Sequence, residues 1–233
     1  LIFLIQFPLP AAEPLWKVGL SKQIITPQRP MWMSGYTPRL ATEKIHDLWI
    51  KVLALEAADG HRAVLITADV CGFSRTSWEA ILQSLERDPG LKRDQVMLTC
   101  THTHTGPALR ECLHVCWPWQ DPDARALVEE YSLDLESKIV AGVRDALARL
   151  EPAQVFVGQS STDFAVNRRN NKEADVPSLR ERGEPLRGPV DHSIPILAVR
   201  SPEGKLRAVT FSYACHATTL ADTIWSGDYP GFA

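Results

Sequence analysis

The stretch from Asp121 to Leu147 constrains the fold most. Asp121 followed by Pro122 has the form of a helix start, an acidic N-cap ahead of a proline at the first helical position. Apolar residues then recur every four positions, at Leu127, Tyr131, Leu135, Ile139, Val143 and Leu147, and Pro152 follows. The pattern predicts one long amphipathic helix whose apolar stripe must be covered. Its neighbours in sequence read as strands that could cover it.

Residues 16–26 read as a strand closed by Pro27 and Pro30, and Met31 to Tyr36 is an apolar loop containing Gly35. Residues 48–57 and 62–70 flank an Asp59-Gly60 turn and make a candidate hairpin, with Asp69 near its end. Residues 74–87 read as a second helix, with Trp78, Ile81, Leu82 and Leu85 on one face and Pro89-Gly90 ending it. Further strands are predicted at 95–101, 155–158, 194–200 and 206–215, the last two joined at Pro202-Glu203-Gly204. Residues 161–189 are a long polar loop. No internal repeat is visible. Strands and helices interspersed in this order predict an α/β domain, a mixed β-sheet layered with helices.

The first residues stand apart. Leu1-Ile2-Phe3-Leu4-Ile5 is followed by Pro8, Pro10, Ala11 and Ala12, which resembles the back half of a secretory signal peptide. On that reading residues 1–12 are a leader remnant, residues 13–233 are the domain, and the protein is secreted or periplasmic. A buried first strand is the alternative. The run is far below the roughly 20 residues of a membrane span. With a net charge of -3 and no basic run among aromatics, nothing in the sequence points to a nucleic-acid surface. Of five cysteines, Cys112 and Cys116 flank His114 and could pair in an oxidising compartment. Cys100 and Cys215 lie in apolar runs and read as small buried hydrophobes.

The chemistry gathers at Met97-Leu98-Thr99-Cys100-Thr101-His102-Thr103-His104-Thr105-Gly106-Pro107. If the strand continues through it, period-two alternation puts both imidazoles on one side, near its end. His216 closes a second strand-like run, Ser212 to Cys215. A catalytic zinc needs about three protein ligands and an open position, and histidines from two strand ends supply part of that. On residue pattern alone, a metal site and a set of structural hydrogen-bond donors remain equally open.

These segments, taken in order, resemble the neutral (alkaline, non-lysosomal) ceramidase family. The resemblance runs through Val18 to Pro27, Met33-Ser34-Gly35-Tyr36, Ile45-His46, Thr67-Ala68-Asp69, and Thr101-His102-Thr103-His104-Thr105-Gly106-Pro107. It continues through Val166-Asn167-Arg168, Val190 to Ser193, Cys215-His216-Ala217-Thr218, and Ser226 to Ala233. It implies a zinc amidase that hydrolyses the N-acyl bond of ceramide, with His102 and His216 on zinc. His104 and Arg168 would hold the carbonyl or the developing oxyanion, and Arg169 leaves that assignment uncertain by one residue. His46, Asp69 and Asp228 match family positions and are expected beside the site or against the substrate, Asp69 as a carboxylate orienting a ligand histidine. A turn-capping role for Asp69 and a helix N-cap role for Asp228 are the alternatives.

Family members are longer, with a Glu and a Tyr as further zinc ligands and an active-site Ser in an Asn-x-Gly-Asp-x-Ser-Pro-type segment. No such segment occurs here. The resemblance therefore implies the N-terminal portion of a catalytic domain, inactive by itself. The implied partner is a ceramide-like or other N-acyl lipid, which would allow peripheral contact with a membrane surface. The sequence also departs from the family. Asp228-Tyr229-Pro230 stands where ceramidases commonly carry Asp-Asn-Lys, and Arg110, Glu111, Trp117 and Trp119 replace small residues. These departures keep two alternatives open: a related hydrolase with a different substrate, and a secreted domain that keeps the fold without catalysis.

Overall fold

The computed structural model describes residues 16–233; the leader expected at 1–12 lies outside the described residues. The elements in chain order are β1 (Trp16–Ile24), β2 (Met31–Trp32), β3 (Leu40–Ala41), β4 (Glu43–Lys44), β5 (Trp49–Ala57) and β6 (Arg62–Ala68). Then come α1 (Arg75–Arg87), β7 (Val96–Cys100), α2 (Pro122–Ala148), β8 (Glu151–Ser161), α3 (Val176–Glu181), β9 (Ser193–Arg200), β10 (Leu206–Phe211), β11 (Ile224–Trp225) and α4 (Asp228–Phe232). Seven strands form one sheet in the order β10-β9-β8-β1-β5-β6-β7. All neighbours are antiparallel except β6 and β7, which run parallel around α1. The mixed α/β layering predicted above is what forms.

The long helix starts where its cap predicts, with the Asp121 carboxylate accepting from the backbone N–H groups of Asp123 and Ala124. Helices α1 and α2 cover one face of the sheet. Ile50, Val52 and Ala54 of β5, Val64, Ile66 and Ala68 of β6, Ile81, Leu82 and Leu85 of α1, and Leu135, Ile139 and Val143 of α2 bury together there. Each Val, Leu or Ile side chain fully removed from water there contributes roughly 1.5–3 kcal/mol. The helix sits unusually close to β1, because β1 turns Gly19 and Ser21 towards it. Ser21 donates to the Gly142 carbonyl at 2.7 Å. A Cβ on Gly19 would stand 1.8 Å from the Ala146 carbonyl oxygen. On the opposite face, among the described residues, a small cluster of Val18, Leu53, Ala153 and Val199 is buried.

Three expectations shift. Strand β8 is longer than the apolar run 155–158, since the polar residues Gln159 to Ser161 still pair with β9. Strand β10 ends at Phe211, so His216 lies in the loop beyond it and does not close the strand. Cys112 and Cys116 are free thiols, as are the other three cysteines; Cys116 is buried in the main core and Cys112 packs beside Gly72.

The segment after Pro107 holds Arg110 and Trp117, two of the departures from the family that keep a different substrate open. Arg110 points into the protein, held by both oxygens of Glu136 at 2.9 Å and by Glu129 at 2.9 Å. Trp117 is part of the main core. Together they fasten the exit of the histidine segment to α2.

Candidate active site

Strands β6 and β7 are parallel neighbours, so the chain leaves both at the same edge of the sheet. The ladder runs on for two more links, Thr101 N–H to the Ala68 carbonyl and His102 N–H to the Val70 carbonyl. The backbone then turns: His102 has φ 59°, in the left-handed region that non-glycine residues seldom enter. The histidines are therefore delivered by a turn beyond the strand end. The alternation of side chains survives that turn. Thr103 and Thr105 point into the protein, and both hydroxyls donate to the Ser226 carbonyl at 2.7 Å. His102 and His104 point the other way.

There they meet His216. Nε2 of His104 lies 2.9 Å from Nε2 of His216 and 3.5 Å from Nε2 of His102. The His102 and His216 rings stack at 4.8 Å. His104 forms the buried floor of the cluster, while His102 and His216 are exposed. Burial, and after it the neighbouring His216 and His102, push the His104 pKa down to about 4. Burial, and after it His102 and the Arg168 guanidinium, also lower that of His216. Both rings are thus neutral near pH 7, the state in which imidazole binds metals.

Each ring nitrogen has a different partner. Nδ1 of His102 donates to the Cys71 carbonyl, which fixes its hydrogen there and leaves the Nε2 lone pair facing the cluster. Arg168 donates to Nδ1 of His216, so Nε2 of that ring carries the hydrogen and donates to His104. Nδ1 of His104 is buried with no well-directed partner, although the nearby Gly35 backbone favours its protonated form. The Cys71 thiol lies 3.6 Å from Nδ1 of His102. With His102 and His104 it forms a group of donors within 4.8 Å of one another; no carboxylate joins it among the described residues. Burial pushes the Cys71 thiol up to about 12, so it is protonated at neutral pH.

The resolution of the other expected residues is mixed. Arg168 meets the cluster, whereas Arg169 donates its backbone N–H to the Asn167 side chain. His46 touches none of the three rings. Its Nε2 accepts from Gly227 N–H at 2.9 Å and its ring meets Phe232 edge-on, so it fastens the α4 segment. Asp69 accepts from Trp49 N–H at 2.9 Å and touches no imidazole; the Cys71 carbonyl does the orienting expected of it. Burial raises its pKa. Asp228 is fully buried and accepts from the Thr219 hydroxyl, Leu220 N–H and Tyr229 N–H. It therefore braces the loop that carries His216, from the first turn of α4 rather than as its cap.

The sequence reading missed the loop that packs on His104. Tyr36 meets the His104 ring edge-on at 4.8 Å. Gly35 has φ 95°, and a Cβ there would lie 2.3 Å from Cγ of His104. Gly35→Ala is expected to cost about 1–3 kcal/mol in strain and to displace the His104 ring. Thermal unfolding and the His104 imidazole resonances check this, and an unperturbed ring would contradict it. The missed signal was Met33-Ser34-Gly35-Tyr36 itself, which reads as an apolar loop until its neighbour is known.

No family model matches the chain. It is 26% identical over 246 residues to the neutral ceramidase of Pseudomonas aeruginosa, covering 98% of this chain and 34% of that protein. In sequence the chain is similar to a neutral ceramidase over a third of that protein's length. The crystal structure of the Pseudomonas aeruginosa neutral ceramidase superposes with a TM-score of 0.74 at 21% identity, over 95% of this chain and 35% of that one. A ceramidase complexed with C2 superposes with a TM-score of 0.73 at 22% identity, over 95% of this chain and 34% of that one. The chain thus has the fold of, and spans about a third of the length of, these neutral ceramidases.

Proposed function

We propose that this chain supplies the histidine wall of a zinc-dependent amide hydrolase that cleaves the N-acyl bond of ceramide or a related N-acyl lipid. The observation that carries this reading is the convergence of His102, His104 and His216, from two distant loops, with Arg168 at their rim. The donor set suits zinc: imidazoles from two loops, one of them already oriented through Nδ1 by a backbone carbonyl. His102 and His216 would hold the ion through Nε2. When bound, the ion would lower the pKa of a water to about 7 and polarise the scissile carbonyl.

The division of labour follows from the hydrogen positions. To offer its Nε2 lone pair, His216 must carry its hydrogen on Nδ1. Arg168 then loses its acceptor on that ring and is free to donate to the substrate oxygen. His104, neutral and on the floor, then no longer accepts from His216 and becomes the second donor with its hydrogen on Nε2. One such donor matters by about a hundredfold or more in acyl transfer. An apolar groove of about 460 Å³, lined by Leu65, Met97, Ile196, Leu197 and Phe211, begins beside Thr101 and Cys215 and supports a substrate with an apolar tail. The further ligands of a four-coordinate ion, and the chain's place as the N-terminal portion of a larger catalytic domain, belong to this proposal. Export to an extracytoplasmic compartment does too. No helix among the described residues is long and apolar enough to cross a membrane.

The test is hydrolysis of a fluorescent short-chain ceramide by the full-length protein. Release of the labelled fatty acid should stop with a chelator and return with zinc. Chelator-insensitive release would overturn the zinc reading. Turnover of other N-acyl compounds without release from ceramide would overturn the substrate.

A further inference from the structure

We propose that Arg39 is a positioning residue that sets the gap between the His104 and His216 imidazoles by tying together the two loops that carry them. His104 and His216 are 112 residues apart, and no strand pairing joins their loops. Arg39 reaches both. Its Nη2 donates to the His104 carbonyl at 2.6 Å and, more weakly, to the Ser34 carbonyl at 3.3 Å. Its Nη1 donates to the carbonyls of Ala221 at 3.0 Å and Asp222 at 2.7 Å, in the loop that follows His216.

A guanidinium can do this because its donors diverge in a rigid plane; an ammonium offers a single point charge. Among the described residues Arg39 makes no ion pair, and its Nε is buried without a partner. Its own loop is held in place, with Met33 N–H on the Arg39 carbonyl and Ser34 N–H on the Gly106 carbonyl. Tyr36 lies under the guanidinium at 4.7 Å and donates to the Leu220 carbonyl at 3.2 Å. The loop from Met33 to Arg39 is thus a bracket with one arm on each histidine loop. A direct link, His104 N–H to the Ala217 carbonyl, is long at 3.4 Å; a second tie runs behind the rings through Ser226 and Asp228, and the bracket holds the side that this tie leaves free.

The inference rests on the reading of these histidines as the reaction site, but its first readout does not depend on activity. In the zinc-free, ¹⁵N-histidine-labelled full-length protein, Arg39→Met should shift the imidazole nitrogens of both His104 and His216. Arg39→Lys, which can reach one loop, should restore part of the shift. Arg29→Met, which removes an exposed arginine paired with Glu130, should change nothing. With ceramide as substrate, Arg39→Met should lower kcat by about tenfold to a hundredfold, the scale of losses when groups that orient ligands are removed, with little change in KM. Unmoved His104 and His216 resonances in folded Arg39→Met would overturn the proposal. Should that variant not fold, unmoved resonances in Arg39→Lys would do so. A wild-type protein without amidase activity would sink the functional reading and leave the resonance test standing.

Discussion

Gly19→Ala is expected to destabilise the protein by about 3 kcal/mol or more, the upper end of the range for overpacked cores. The added methyl would stand 1.8 Å from the Ala146 carbonyl oxygen and 2.8 Å from its carbon. Both are backbone atoms inside α2, so no rotamer change can relieve the clash. Relief requires the helix to back away from β1, which would also lengthen the Ser21 to Gly142 hydrogen bond and loosen Ile139 and Val143 against the sheet. Urea unfolding measures the loss. Gly158→Ala is the control, since nothing lies within 4 Å of a Cβ there, and it should stay within about 0.5 kcal/mol of wild type. Equal stability of the two variants would contradict the close packing of α2 on β1.

His102→Ala is expected to have the largest effect on function, lowering zinc affinity and ceramide turnover by more than about a hundredfold, beyond the 10- to 100-fold losses seen when only an orienting partner is removed. His102 is the ring whose free lone pair is already directed, by its Nδ1 bond to Cys71. Its removal leaves His216 with a ring nitrogen committed to Arg168. The fold should survive, because His102 is exposed and the threonines on either side of His104, Thr103 and Thr105, keep their bonds to Ser226. Competition with a chromogenic chelator, beside a thermal unfolding curve, separates the two effects. Undiminished zinc affinity in folded His102→Ala would remove this residue from the ligand set.

The α/β layering was legible because its cues are local. Asp121-Pro122, the four-residue apolar spacing and the Asp59-Gly60 turn each act through near neighbours in the chain. The meeting of His102, His104 and His216 was legible as a set, though for a different reason than strand alternation. The left-handed turn at His102 and the loop beyond β10 do the placing, and neither leaves a mark in residue spacing. Cys71, Gly35 and Arg39 were not legible as site components. Cys71 acts mainly through its carbonyl, Gly35 through the side chain it lacks, and Arg39 through contacts with residues 65 and 182–183 positions away. His46 and Asp228 show the reverse case. They carry the right chemistry in the right motif, yet they brace the segments around the site and do not face it.

X-ray absorption at the zinc edge of the metal-loaded full-length protein tests the central claim most directly. The account predicts a first shell of imidazole nitrogen and oxygen at about 2.0–2.1 Å, with the outer-shell scattering of two histidine rings, lost in His102→Ala. A sulfur shell at about 2.3 Å would place the Cys71 thiolate on the metal, and an absence of histidine scattering would take the metal away from this cluster; either result would contradict the account.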